Sequence, residues 1–109
     1  LANDLAGVFS AMLQKGLKGI FHAVSSDSLT KYDFGLRIAR KFGLDENLIE
    51  PASVEQARLK AARSLRLTLR TDKLSRALGI GLPGISTGIE RLYTLYQQGY
   101  PQRLRELAE

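Results

Sequence analysis

The chain has 109 residues, of which 44 % are hydrophobic and 25 % charged, a balance typical of a globular domain. It contains no cysteine, which excludes disulfides and thiolate metal sites, and its single histidine argues against a dedicated zinc site. No apolar run approaches the roughly 18 residues that a membrane span needs, and no signal-peptide pattern opens the chain. We therefore expect a cytoplasmic protein with no membrane partner and no metal site.

The net charge of +5 is concentrated in one part of the chain. Between Arg58 and Arg76 there are seven basic residues and one acidic residue, a net charge of +6, which leaves −1 for all other positions. The centre of this region, residues 61–74 with the sequence AARSLRLTLRTDKL, is called the basic segment below. Its charge is the strongest indication of a binding site in the sequence.

The first half of the chain predicts two helices around a short strand. Residues 3–15 carry a helical apolar stripe that Asn3 or Asp4 can cap and that Gly16 can end. Residues 19–24 are apolar and β-rich, which predicts a buried strand. After a turn at 25–28 that can cap it, a second helix runs to about Phe42 and ends at Gly43, and residues 45–49 predict one further helical turn.

The second half predicts further short elements. Residues 53–56 match a capping box, and alternating leucines over 65–69 predict a second strand. A helix capped by Thr71 ends at Gly79, and a second capping box at Thr87 predicts the start of another helix. The predicted inward face of that helix consists of Ile89, Leu92, Tyr93 and Tyr96. A last short helix is predicted to start at Pro101.

The predicted fold class is therefore α+β, a small and mostly helical domain with two or so short strands. Two short strands do not make a self-sufficient sheet, so they pair with each other or complete a sheet formed by another part of the protein. The chain also lacks an initial Met and enters a helical pattern at once. We expect residues 1–109 to be a single domain cut from a longer protein.

Motifs for cofactor binding and catalysis are weak. Residues 79–84 satisfy G-x-G-x-x-G, but these glycines follow a predicted helix instead of a strand, and Pro83 removes one of the N–H donors that a phosphate needs. A tyrosine–lysine catalytic pair is absent, since no tyrosine is followed four residues later by lysine. His22 has no orienting partner nearby in sequence and is interpreted as a packed or hydrogen-bonded strand residue. We therefore predict no catalytic and no cofactor-binding residue.

The basic segment leaves three interpretations open. A nucleic-acid interface is the weakest, because no aromatic residue lies between Phe42 and Tyr93 to stack on bases. A phosphate clamp is favoured by the arginines, which can hold a diphosphate through two parallel hydrogen bonds. A solvated face with outward arginines is the third.

Several stretches together resemble a known family. They are DLA at 4–6, GIFHAVSSDSLTKYDFGLRIARKFGLDENLI at 19–49, AARSLRLTLRTDKLSRALG at 61–79 and LP at 82–83. The chain resembles the C-terminal, substrate-side part of dTDP-4-dehydrorhamnose reductases and related sugar-nucleotide reductases, which belong to the extended short-chain dehydrogenase/reductase class. The resemblance runs from Asp4 to about Leu92.

The resemblance implies a substrate-binding domain of an NAD(P)-dependent reductase that is not catalytic by itself. A Rossmann domain in the N-terminal part of the same protein would bind NAD(P)H, carry the tyrosine–lysine pair and close with this domain over a sugar nucleotide. Arg63, Arg66 and Lys73 are then the predicted substrate-binding residues. The face built to pack on the Rossmann domain would be exposed in the isolated chain, which predicts self-association.

The basic segment also departs from the family pattern. Ser64 stands where proline is usual, Arg66 where asparagine is common and Arg70 where aspartate is common. The alternatives to a reductase domain are a non-catalytic regulatory or scaffolding domain of the same fold and, more weakly, a basic nucleic-acid-binding domain.

Overall fold

The computed structural model describes residues 1–54, 64 and 66–107. Within these ranges the secondary structure is helical, and none of the helices is long and apolar enough to cross a membrane. The elements are α1 (Ala2–Gln14), α2 (Lys31–Phe42), a 3₁₀ helix (Glu46–Leu48), α3 (Asp72–Leu78), α4 (Ile85–Gln97) and α5 (Tyr100–Glu106). They fall into two compact units: the first comprises Leu1–Asp27 and Arg70–Glu109, and the second comprises Ser28–Leu69.

The predicted α+β class is wrong for the described part of the chain, which is all-helical. A strand is defined by backbone hydrogen bonds to a neighbouring strand, and the described residues offer none to the predicted strand at 19–24. The period-two pattern nevertheless survives, because Phe21 and Ala23 pack on the core while His22 is exposed. In the other predicted strand, Leu67 is 77 % exposed and Leu65 lies outside the described residues.

The core of the first unit is built around the seven-residue helix α3. Leu74 is fully buried, and Leu78, one turn later on the same face, is 6 % exposed. They pack with Val8 of α1 and with Leu82. Further apolar side chains close the cluster: Ala11, Met12, Leu17, Phe21 and Ala23. Gly79, with φ of 72°, ends α3 in the left-handed conformation that glycine adopts most easily, as the sequence predicts.

Polar contacts join α1 and Lys15, the residue directly after it, to three other helices of this unit. Lys15 Nζ donates hydrogen bonds to the carbonyl oxygens of Ala77 at 3.2 Å and Leu78 at 2.9 Å, so it satisfies carbonyl groups at the C-terminus of α3. Asp4 pairs with Arg91 of α4, and the Asn3 amide donates to the Tyr100 hydroxyl of α5 at 3.1 Å. The prediction that Asn3 or Asp4 caps α1 is wrong, because both lie inside the helix and contact other elements.

Helix α4 begins earlier than its predicted start at Thr87. The Ile85 N–H donates to Asp27 Oδ1 at 2.7 Å, so a carboxylate 58 residues away caps the helix. The Ser26 N–H also donates to the Pro83 carbonyl oxygen at 3.3 Å, which holds the two loops together. The turn at 25–28 therefore caps α4 instead of α2. The predicted inward face of α4 is correct for Ile89, which is buried. It is wrong for Tyr96, which is 54 % exposed, and for Leu92, which is also exposed.

The second unit contains α2 and the 3₁₀ helix. Thr30 caps α2 by accepting the Asp33 N–H at 3.0 Å. The predicted stop at Gly43 is confirmed, since Gly43 has a φ of 67°. Arg40 Nε donates to Glu46 at 2.8 Å, and this hydrogen bond and the glutamate charge raise the pKa of the already cationic arginine. The capping box predicted at 53–56 extends outside the described residues.

Replacing Leu74 with alanine tests the role of α3 as the centre of the first unit. Because Leu74 is fully buried, the cavity should lower the free energy of unfolding by about 2–5 kcal/mol. Leu13→Ala is the matched control, since Leu13 is also helical but 82 % exposed, and it should change stability by less than about 0.5 kcal/mol. Urea denaturation of the two variants measures the difference, and equal effects would contradict the assigned core.

Replacing Asp27 with alanine tests the remote cap of α4. The loss of the hydrogen bond to Ile85 should lower stability by about 0.5–2 kcal/mol and accelerate hydrogen exchange of the Ile85 amide. Asp45→Ala removes an analogous bond at the 3₁₀ helix, where Asp45 accepts the Asn47 N–H at 2.9 Å, and should leave the Ile85 amide unchanged. Exchange at Ile85 that is insensitive to Asp27 would rule out this cap.

Candidate functional site

The described part of the basic segment consists of Ser64 and residues 66–74, which belong partly to each unit. Of the three predicted substrate-binding residues, Arg63 lies outside the described residues. Arg66 belongs to the second unit and Lys73 to the first. Their assignment to substrate binding remains a prediction, and the local surroundings of Arg66 and Lys73 differ markedly.

Arg66 is exposed, and its backbone is held by the side chain of Ser64. The Ser64 hydroxyl donates to the Arg66 carbonyl oxygen at 2.9 Å and accepts the Arg66 N–H at 3.4 Å. These are local hydrogen bonds of the kind by which serine stabilises turns. Among the described residues, none forms an ion pair or hydrogen bond with the Arg66 guanidinium, which carries five N–H donors.

Arg70 is exposed as well, but its guanidinium already has an acidic partner. Its Nε and Nη2 both lie 2.7 Å from Asp72 Oδ2, immediately before α3. The side chains are 90 % and 51 % exposed, so this pair contributes little to stability, at most about 1 kcal/mol. The pair mainly makes Arg70 less available to a ligand, because Asp72 offsets its charge, whereas no described acid pairs with Arg66.

Lys73 connects α3 with Ile20 and Phe21. Its ammonium group donates to the Ile20 carbonyl oxygen at 2.8 Å and lies 4.3 Å from the centroid of the Phe21 ring, a cation–π contact. The sequence offered no signal for this contact, since the two partners are 53 residues apart. Two of the three ammonium protons remain for other acceptors.

The glycine-rich residues 79–84 lie between the end of α3 and the start of α4. Gly79 is the stop of α3, and Gly84 precedes α4. A Cβ at Gly84 would lie 3.3 Å from Asp27 Oδ1, so a carboxylate occupies the position at the helix N-terminus where a bound anion would be stabilised. A phosphate at the same place would meet like charge.

His22 is exposed, so the part of its interpretation that had it packed is wrong. It lies between Phe21 and Ala23, which face the core, so the alternation of the extended residues turns its ring to the surface. Among the described residues, no group of three or more histidine or acidic side chains is arranged to hold a metal ion.

Replacing Lys73 with methionine tests its structural contacts. The variant keeps the aliphatic stem but loses the hydrogen bond to Ile20 and the cation–π contact with Phe21, so stability should fall by about 1 kcal/mol. Arg76→Met, at another exposed position of α3, is the control and should be near neutral. Chemical denaturation measures both, and a Lys73→Met variant as stable as the control would show that the contacts contribute nothing.

Comparison with known proteins agrees with the resemblance found in the sequence. The family model described as the RmlD substrate binding domain matches residues 1–98. A protein of Haloferax volcanii named as a probable low-salt glycan biosynthesis reductase, Agl14, is 30 % identical over 91 residues, which are 84 % of this chain and 30 % of that protein. The chain thus spans less than a third of the length of this relative. No solved structure gives a significant match. Since the family model covers nearly the whole chain, the protein belongs to the RmlD substrate binding domain family.

Proposed function

We propose that the chain is the substrate-binding domain of an NAD(P)-dependent sugar-nucleotide reductase of the dTDP-4-dehydrorhamnose reductase type. Membership of the substrate-binding family and the reductase name of the Haloferax relative support the class. The observation that points to a binding site is the exposed Arg66, whose guanidinium has no partner among the described residues. The Ser64 hydroxyl also donates a hydrogen bond to the Arg66 carbonyl oxygen.

The chemistry of a sugar nucleotide suits this guanidinium. Its diphosphate is the most charged part of the substrate, and a guanidinium can bind two phosphate oxygens through parallel N–H donors. Arg66 has no ion pair with a described residue to break, whereas Arg70 would have to leave Asp72. Arg63 and Lys73 remain predicted substrate-binding residues.

The chain is proposed to bind and enclose substrate without catalysing the reaction alone. It has no tyrosine followed four residues later by lysine, and Asp27 occupies the helix N-terminus next to the glycine-rich residues. In the proposal, NAD(P)H and the catalytic pair belong to a Rossmann domain of the short-chain dehydrogenase/reductase class in the same protein. The cofactor would supply the hydride, and this domain would orient the sugar toward it.

A partner domain is supported by the exposed apolar stripe on α1. Leu5, Phe9 and Leu13 recur every four residues and are 37 %, 50 % and 82 % exposed, so they form one continuous face. Burial of such a face against another domain removes it from water, whereas in the isolated chain it favours self-association. The 30 % share of the relative's length that the chain covers fits a protein with further domains.

Arg66→Gln in the full-length protein tests the binding role. Loss of a charged hydrogen-bond donor to phosphate should weaken substrate binding by about 10-fold or more. The readout is the KM for a 4-keto sugar nucleotide with NADH or NADPH as the reductant. Arg105→Gln, on the exposed surface of α5, is the control and should keep the parent KM. A KM unchanged by Arg66→Gln would remove the residue from the proposed site.

The isolated 109-residue chain provides a second test. We expect it to show no reduction of a 4-keto sugar nucleotide with either nicotinamide cofactor, because it lacks the catalytic pair. Turnover by this chain alone would overturn the division of labour between the domains. A full-length protein that binds a sugar nucleotide but never reduces it would instead favour the non-catalytic regulatory role.

A further inference from the structure

We propose that Ser64 is a positioning residue that presents Arg66 to the substrate diphosphate; the inference rests on the function proposed above. Its basis is the pair of hydrogen bonds that one hydroxyl makes to both backbone groups of Arg66. The hydroxyl donates to the carbonyl oxygen at 2.9 Å and accepts the N–H at 3.4 Å. Ser64 therefore restrains the backbone of Arg66 at both its N–H and its carbonyl group.

Such a constraint matters because the segment has no other described support at Arg66. Residues 66–70 are exposed and lie outside helices and strands, so neither a backbone ladder nor core packing fixes them. A ligand that binds an unrestrained arginine must itself offset the loss of backbone freedom. The hydrogen bonds from Ser64 reduce that loss before the ligand arrives, which increases affinity without any contact between Ser64 and the ligand.

Serine can do this at position 64, whereas proline cannot. A proline would fix its own φ, but it has no hydroxyl and could bond to neither backbone group of Arg66. The serine and the arginine therefore work as a pair, one supplying the charge and the other placing the backbone from which that charge extends. This gives a physical role to two of the positions at which the basic segment departs from the family pattern.

A double-mutant cycle in the full-length protein tests the inference. Binding of dTDP, which carries the diphosphate of the proposed substrate class, is measured by calorimetry for Ser64→Ala, Arg66→Gln and the double variant. Loss of the hydroxyl should weaken binding about 3- to 10-fold in the Arg66 background. It should have no further effect in the Arg66→Gln background, because Ser64 acts only through Arg66.

Two further readouts separate positioning from a general structural role. Ser64→Thr keeps a hydroxyl and should restore most of the affinity lost in Ser64→Ala. The dependence of affinity on ionic strength should be unchanged in Ser64→Ala, which retains every charge, and should be shallower in Arg66→Gln. The melting temperature of Ser64→Ala should equal that of the parent, since both of its hydrogen bonds are exposed.

The outcomes distinguish this inference from the proposed function. If Arg66→Gln weakens dTDP binding and Ser64→Ala does not, the positioning role is wrong and the proposed site stands. Equal losses from Ser64→Ala in both backgrounds would also overturn it, because Ser64 would then act independently of Arg66. If the parent protein does not bind dTDP, or if Arg66→Gln binds it as tightly as the parent, the proposed diphosphate contact itself fails.

Discussion

Burial of Leu74 is the constraint on which the organisation of the first unit depends. Helix α3 has only seven residues, and helices of that length are not stable in water without tertiary packing. Its apolar face meets α1 and the extended residues before α2, with Leu74 fully removed from solvent. Lys15 at one end of α3 and Lys73 near the other add polar contacts that fix the same arrangement. Tertiary packing therefore stabilises α3, and the buried leucines of α3 form the centre of the core.

The surroundings of Lys73 and Arg66 in the basic segment differ, because only Lys73 lies on a packed helix. Lys73 lies on α3 and engages the backbone of Ile20 and the ring of Phe21, so its position follows from the packing of the helix. Arg66 lies on exposed chain, where only the hydroxyl of Ser64 restrains its backbone among the described residues. No described acid compensates the charge of Arg66, which favours its availability to a ligand. The proposed diphosphate contact therefore centres on Arg66.

The sequence predicts much of the helical structure because its signals are local. Apolar spacing and glycine stops placed α1, α2 and α3 within about a residue or two of their observed limits. The predicted strands fail because a strand needs a neighbouring strand, and period-two alternation alone does not supply one. The start of α4 was missed since Asp27, which caps it, lies 58 residues away and leaves no mark in local sequence.

In the candidate site too, features set by nearby residues are predictable from the sequence, and contacts between distant residues are not. The charge of residues 61–74 is visible in the sequence, and the bond from Ser64 to a residue two positions on is a local turn motif that serine itself could have suggested. The contacts of Lys73 could not be foreseen, because its partners are distant in sequence. Likewise, only the geometry shows that Asp72 engages Arg70 and no described acid engages Arg66.

The part of the basic segment around Ser64 and Arg66 is proposed to bind the diphosphate of a sugar nucleotide. Hydrogen–deuterium exchange of the full-length protein with and without a dTDP-sugar measures this directly. We expect slower exchange on ligand addition at Ser64 and residues 66–70, which are exposed in the free protein. Saturating ligand that protects other segments but leaves Ser64 and residues 66–70 unchanged would contradict the proposal.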